Sequence, residues 1–288
     1  MTCYLCHNQT RKFIEKNGFT IFKCTWCGLG MTQFQKDYQT FVKEHYSKGY
    51  FTGSPQYSAY TNYKRDKSII VKNMTKFLKK IQSTHPTGTL LDVGCALGYF
   101  VELALNKGYD AYGFDPSDYA VHEAIKLNGK ERIKQGTIGT TGYQPESFDV
   151  ITLFDVFEHL ADPKKDLQKL MTYLKKDGII VIATGDTNSL AARILKRKWT
   201  FYIPPQHLFF FDRKTMMTLL QVVGLAPLQW FRIGKWLSLE YVLHLARTTG
   251  ESNMAHYMYP IIKKSSLGRL PLFIPMQDNM VVIVKKIL

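Results

Sequence analysis

The chain has 288 residues, 45% hydrophobic and 21% charged, which is apolar enough for a buried core and excludes an intrinsically disordered polymer. Its longest stretch without a charge, Thr215 to Phe231, covers 17 residues and contains Gly224 and Pro227, which argues against a transmembrane helix. The net charge of +15 is uneven: residues 1–80 carry 14 Lys/Arg against 4 Asp/Glu, residues 81–186 carry 10 against 15, and residues 187–288 carry 14 against 4. Two basic ends around a weakly acidic middle attract phosphate, on nucleic acid, on a nucleotide-linked substrate or on an anionic membrane surface. A generally lysine-rich composition accounts for the same counts without a partner. Met1 to Cys6 has neither a basic nor an apolar leader region, so the cytoplasm is the expected compartment.

Four of the five cysteines open the chain: Cys3, Cys6, Cys24 and Cys27, spaced C-x2-C, 17 residues, C-x2-C. Two residues between thiolates let one tight turn aim both sulfurs at a tetrahedral zinc, and the second pair closes the site. A full sulfur shell makes the metal structural. The rival reading, two disulfides, needs an oxidising compartment. Between the pairs, Phe13 to Phe22 reads as two strands around the hairpin turn Asn17-Gly18, and Gly28 helps the second knuckle turn. His7, beside a complete ligand set, is expected on a solvent-facing loop. Residues 1–35 are thus a zinc ribbon, and 36–85 an aromatic-rich, helical connecting segment.

From Thr89 short apolar runs alternate with helical patterns. Thr89 to Val93 is a strand, followed by the turn Gly94-Cys95-Ala96-Leu97-Gly98 and a helix that ends near Gly108. Ala111 to Phe114 is the next strand, closed by Asp115-Pro116-Ser117, which offers a helix start. Ile133 to Gln135 is a weak third strand, Phe148 to Phe154 a fourth, and Ile179 to Ala183 a fifth after the turn Asp177-Gly178. Such alternation means an α/β fold whose mostly parallel sheet is covered on both faces and binds ligands at the carboxyl ends of its strands. Gly94 and Gly98 allow close backbone approach there, and Asp115 can accept two hydrogen bonds from a ribose diol. The middle of the turn is Ala96, where the dinucleotide fingerprint has glycine.

The strings L-L-D-V-G-C-A-L-G-Y-F, Y-G-F-D-P-S and S-F-D-V-I-T-L-F-D-V-F-E-H-L-A-D-P resemble class I S-adenosylmethionine-dependent methyltransferases. The likeness is strongest to ubiquinone-biosynthesis-type O-methyltransferases and bacterial relatives found with cell-surface glycan genes, several of which begin with a four-cysteine ribbon. The stretch Gly49-Tyr50-Phe51-Thr52-Gly53…Tyr60 and the run Trp199…Pro205-Gln206-His207-Leu208-Phe209-Phe210-Phe211-Asp212 are also similar to theirs. The resemblance implies a Rossmann-like, doubly wound, seven-stranded sheet with its last strand antiparallel. Leu225–Ile233 and Met280–Lys286 are expected as strands six and seven. The methyltransferase domain would span 86–288, with a substrate lid at about 187–212 and an insertion at about 234–275. Asp92, Gly94, Cys95 and Gly98 would line the methionine half of S-adenosylmethionine. Asp115 would hold the ribose, beside Pro116 and Ser117; Thr137 and Ile138 would lie near adenine, although the acidic residue usual in that loop is absent. Phe154 and Asp155 would close the cofactor site.

An acceptor hydroxyl gains from losing its proton to a base, and His159 and His207 are the candidate catalytic residues. Each can equally be a hydrogen-bonded structural residue. In some quinone methyltransferases the Glu-His region helps bind a divalent metal, a role Glu158 would share; a helix-capping carboxylate is the plain alternative. Leu190 to Trp199 reads as a basic, partly amphipathic helix, either touching an anionic acceptor or membrane, or packing on the core with a solvated outer side. Trp236–Arg247 reads as helical. The expected function is O-methylation of a small, nucleotide-linked or lipid-linked acceptor, such as a sugar hydroxyl. Alternatives are a zinc-ribbon methyltransferase of ribosomal RNA or tRNA and a non-catalytic cofactor-binding scaffold. Lysines outnumber arginines 29 to 9, which does not favour bidentate phosphate recognition.

Overall fold

The computed structural model describes residues 1–34, 37–53, 61–248 and 252–287. Tyr60, the end of the aromatic stretch noted above, lies outside the described residues. β1 (Thr10–Lys16) and β2 (Phe19–Cys24) form the expected hairpin. Asn17 and Gly18 both take positive φ, 51° and 75°, as a two-residue type I′ turn demands. β3 (Gly30–Thr32) pairs with β2. The connecting segment supplies α1 (Tyr38–His45), α2 (Lys48–Thr52) and α3 (Lys67–Gln82).

The alternating region then gives β4 (Gly88–Val93), α4 (Tyr99–Leu105), β5 (Tyr109–Asp115), α5 (Asp118–Asn128), β6 (Ile133–Gln135) and β7 (Phe148–Phe154). After these come α6 (Pro163–Tyr173), β8 (Leu174–Gly185), α7 (Leu190–Leu195), β9 (Phe209–Phe210) and α8 (Arg213–Val223). β10 (Leu225–Ser238), α9 (Leu239–Thr248), α10 (Asn253–Lys264) and β11 (Pro271–Lys286) finish the described chain. The large sheet has the order β10-β11-β8-β7-β4-β5-β6, parallel throughout except for β11, which runs antiparallel to both neighbours.

Alternation along the strands sorts side chains to two cores. Leu91, Val93, Ile151, Leu153, Ile180 and Ile182 face α6, α8 and the amino-terminal hairpin. Leu90, Val150, Ile179, Val181 and Ala183 face α3, α4 and α5. A sheet buried on both faces needs such near-continuous apolar strands. Neighbours β5 and β7 leave β4 on opposite sides, so the switch point of the fold lies at the carboxyl end of β4, where a ligand crevice belongs.

Three elements differ from expectation. The basic helix stops at Leu195 and becomes a 3₁₀ turn over Lys196–Lys198. Lys196 takes φ 48°, and Trp199 turns inward, fully buried with Ala191, Ala192, Tyr202 and Phe210. Next, β10 and β11 run past a register shift between Ile233 and Lys235 and stay paired to Ser238 and Pro271. Trp236 is therefore in a strand, and the helix begins at Leu239. Finally, Asp177 and Gly178 lie inside β8 rather than in a turn before it.

The hairpin is not an appended body. β3 pairs with β9, Gly30 opposite Phe210 and Met31 opposite Phe209, making a second sheet β1-β2-β3-β9. Tyr4 adds anchors, its hydroxyl bonded to Asp162 and accepting from Lys164 N at 2.8 Å.

Candidate active site

At the end of β4 the chain turns through Gly94 (φ 67°), Ala96 (φ 47°) and Gly98 (φ 79°) into α4. A Cβ on Gly94 would lie 2.6 Å from Val156 Cγ2, and one on Gly98 2.4 Å from Asn128 Nδ2, so both positions exclude side chains. Asp92 is buried and accepts from Thr152 Oγ1 at 2.7 Å. Burial pushes its carboxyl up to about 7 against that hydrogen bond, with Asp115 repelling from nearby. Asp115, at the end of β5, accepts from Ala96 N and Ser117 N at 2.9 Å, one through each oxygen, and burial lifts it to about 6. Each oxygen keeps a second lone pair for a ligand hydroxyl. Bare backbone at 94–98 beside two carboxyls that burial lifts above their ordinary values fits a cationic, ribose-bearing ligand such as S-adenosylmethionine.

Other expected cofactor residues divide. Ser117 caps α5, accepting from Ala120 N, and Pro116 precedes it in the β5–α5 turn. Cys95 belongs to the turn by its backbone, but its side chain packs in the core over Gly113. Ile138 is likewise a core residue, while Thr137 sits in a partly exposed turn with Thr140. Phe154 stacks on Phe77 at 4.5 Å and meets Phe100 edge-on. Asp155 takes φ 53° and is fixed by Lys235 Nζ at 3.0 and 3.1 Å and by Asn279 Nδ2 at 2.8 Å. A buried lysine tends to lose its proton, but Asp155 and Asp278 outweigh burial and raise Lys235.

Beyond β7, Phe157–His159 forms a 3₁₀ turn that packs against β9. Leu208 N donates to Glu158 O at 2.8 Å, and the rings of His159 and His207 lie 4.8 Å apart. His159 Nδ1 meets Gln206 O at 2.7 Å and Tyr46 Oη at 3.0 Å; His207 Nδ1 meets Phe201 O at 2.7 Å. A carbonyl only accepts, so each Nδ1 carries the proton and each Nε2 keeps its lone pair. Burial lowers both imidazoles, so both are neutral at pH 7. Glu158 is fully buried; burial and the nearby Asp155 push it up to about 8, opposed by Thr184 Oγ1 at 2.7 Å. Among the described residues its Oε1 has no hydrogen-bond partner, and it stands 3.9 Å from His207 Nε2. One ligand atom from each of Glu158, His159 and His207 lies within 4.8 Å of the others, close enough to share a divalent cation.

A cavity of about 550 Å³ has Asp155, Glu158, His159 and His207 in its lining. Its walls are largely apolar: Ile69, Ile70, Met74 and Phe77 of α3, Ala191 and Leu195 of α7, Val242, Leu245 and Ala246 of α9. Lys235, Asn279, Thr184 and Tyr46 complete the site, and no pattern in the sequence marks them. Each lies far along the chain from the partner it holds.

The sulfurs of Cys3, Cys6, Cys24 and Cys27 all lie within 4.8 Å of one another. Cys3–Cys27 and Cys6–Cys24 are separated by 3.5 Å, so they are unbonded thiols. A tetrahedral ion with metal–sulfur bonds of about 2.3 Å needs sulfur–sulfur edges of about 3.8 Å, and the set fits. The amides of Trp26 and Cys27 point at Cys24 Sγ at 3.4 Å. His7 is exposed, as expected.

Sheet order, antiparallel last strand and a glycine turn at the switch point define the fold of class I S-adenosylmethionine-dependent methyltransferases. Residues 63–229, more than half of the chain, match the methyltransferase domain family, and the chain belongs to that family. A structure of a SAM-dependent methyltransferase from Archaeoglobus fulgidus superposes with TM-score 0.52 at 21% identity, covering 76% of this chain and 94% of that one. The YcgJ protein of Bacillus subtilis superposes with TM-score 0.51 at 16% identity, covering 75% of this chain and 99% of that one. The mitochondrial ubiquinone biosynthesis O-methyltransferase of Schizosaccharomyces pombe is 33% identical over 114 residues, 37% of this chain and 40% of that protein. A tRNA U34 carboxymethyltransferase of Haemophilus influenzae is 32% identical over 129 residues, 40% of each. The match thus spans less than half the length of either of these curated relatives.

Proposed function

We propose that the protein O-methylates a hydroxyl on a small or lipid-linked acceptor, such as a sugar in cell-surface glycan biosynthesis, in the cytoplasm. The observation that carries this reading is the cavity: a largely apolar lining that also holds two neutral histidines. Such walls suit an apolar or lipid-carried acceptor better than a nucleotide-linked one. Bound S-adenosylmethionine supplies the activated methyl group. Asp115 accepts from the ribose hydroxyls, Asp92 faces the methionine half, and the 94–98 backbone packs against it.

His159 is the proposed base. Its Nδ1–H is held by Gln206 O, which leaves Nε2 to take the acceptor's proton. His207, tied through Nδ1 to Phe201 O, positions the lid over the acceptor. The four amino-terminal cysteines hold one structural Zn²⁺.

In single turnover with a working acceptor, His159→Ala should slow methyl transfer by about 10²–10⁴-fold with cofactor affinity nearly unchanged. His207→Ala should mainly raise the acceptor's KM. Wild-type rates in both variants would refute the base assignment. The partnerless Glu158 Oε1 beside the two histidines favours a second reading, a divalent cation at this part of the cavity. Retained activity in the presence of EDTA would exclude it. Acceptor trials should run lipid-linked glycans, nucleotide sugars and structured RNA side by side; methylation of RNA alone would transfer the assignment to the RNA class.

A further inference from the structure

α10 is apolar on two sides. Ala255, Tyr259 and Ile262 pack against Leu243 of α9. On the outer side Met254, Tyr257, Met258 and Ile261 are 69%, 76%, 40% and 69% exposed. A helix that is apolar on two opposite sides normally buries both, and among the described residues nothing covers this outer face. The apolar surface continues through exposed Leu267, Leu270 and Phe273. From Ser252 to Gln277 there is no acidic residue, while Lys263, Lys264 and Arg269 are all exposed. Protruding Tyr, Met and Ile residues flanked by uncompensated basic charge complement the acyl and headgroup layers of an anionic bilayer.

The cavity reaches the start of α10. Its lining includes Ser252, at the start of α10, and Ala246 of α9, as well as Ala191 and Leu195 of α7. α7 itself exposes Leu190 and Ile194, next to the basic run Lys196-Arg197-Lys198. Among the described residues no helix is long and apolar enough to cross a membrane.

We propose that the outer face of α10 and the turn after it dock on an anionic lipid bilayer. Entry of a lipid-linked acceptor from that surface rests on the function proposed above; the docking does not.

The full chain should sediment with vesicles of equal parts phosphatidylcholine and phosphatidylglycerol, and not with phosphatidylcholine alone. Added salt should weaken the association. Lys263→Ala with Lys264→Ala should lower the partition coefficient by about 25-fold, five-fold for each charge lost. Tyr257→Ser with Ile261→Ser should lower it by at least about ten-fold while S-adenosylmethionine binding, which reports the intact fold, is retained. Absence of binding to anionic vesicles, or folded variants that bind as the wild type does, would overturn the proposal. So would a wild-type dimer in sedimentation velocity that the Tyr257 and Ile261 substitutions dissociate, because the face would then join two copies. Sedimentation needs no turnover, so a failed acceptor assay and failed docking are separate results.

Discussion

Asp92 and Asp115 are the residues whose chemistry is most exposed to test, because burial holds each carboxyl above its ordinary value, at about 7 and about 6. A cationic ligand favours their ionised forms, so its binding should release protons and weaken as pH falls from 8 towards 5. The limit is about ten-fold per pH unit for each proton displaced. In the ligand-free protein the sign is reversed: stability that these groups contribute in acid is lost as pH rises through their folded values. Calorimetry of S-adenosylmethionine at pH 8 and pH 5.5 checks the first statement; equal affinities would contradict it. Asp115→Ala should cost about 1.5–3 kcal/mol of binding, and it also frees the amides of Ala96 and Ser117. Both acids were legible in the sequence, since a strand followed by a glycine turn or a helix start places its last carboxylate at the ligand edge. The packing of Cys95 into the core was not, because the direction of one side chain in a turn depends on the left-handed residues around it. Nor was Lys235, which reaches Asp155 from the far hairpin.

Among the elements, the contact between the cysteine hairpin and β9, within the proposed lid, has the largest consequence. β3 pairs with β9, and Thr32 Oγ1 donates to the carbonyl of His207 at 2.6 Å. Removal of the proposed zinc by a chelator, or Cys24→Ser, should therefore raise amide exchange across residues 201–211 as well as 1–34. The acceptor's KM should rise while cofactor affinity holds. Exchange confined to 1–34 would contradict the coupling. Gly30→Val should loosen the same lid with the four thiols intact, since a Cβ there would sit 2.9 Å from Phe210 Cβ. The hairpin and its cysteines could be read locally, from residue spacing and the Asn17-Gly18 turn. Its pairing with a two-residue strand 180 or so positions away left no periodicity to read, and short non-local ladders form only after the bodies that carry them have folded. The length of α7 was missed for a related reason: burial of Trp199 overrode a helical pattern that runs straight through it.

For the whole molecule, alternating strands and helices specified the doubly wound sheet, and two faces of period-two apolar residues account for its burial. The insertion between β10 and β11 carried no such pattern, because α10 presents apolar residues both inward and outward. The central claim is that the switch point at β4 binds S-adenosylmethionine. Isothermal titration calorimetry of the wild type and Gly94→Val tests it most directly. The account predicts a single S-adenosylmethionine site in the wild type and loss of that site in Gly94→Val, whose side chain would overlap Val156 and crowd the turn. Circular dichroism should show the variant still folded. Absence of binding to the wild type, or unchanged affinity in a folded Gly94→Val protein, would contradict it.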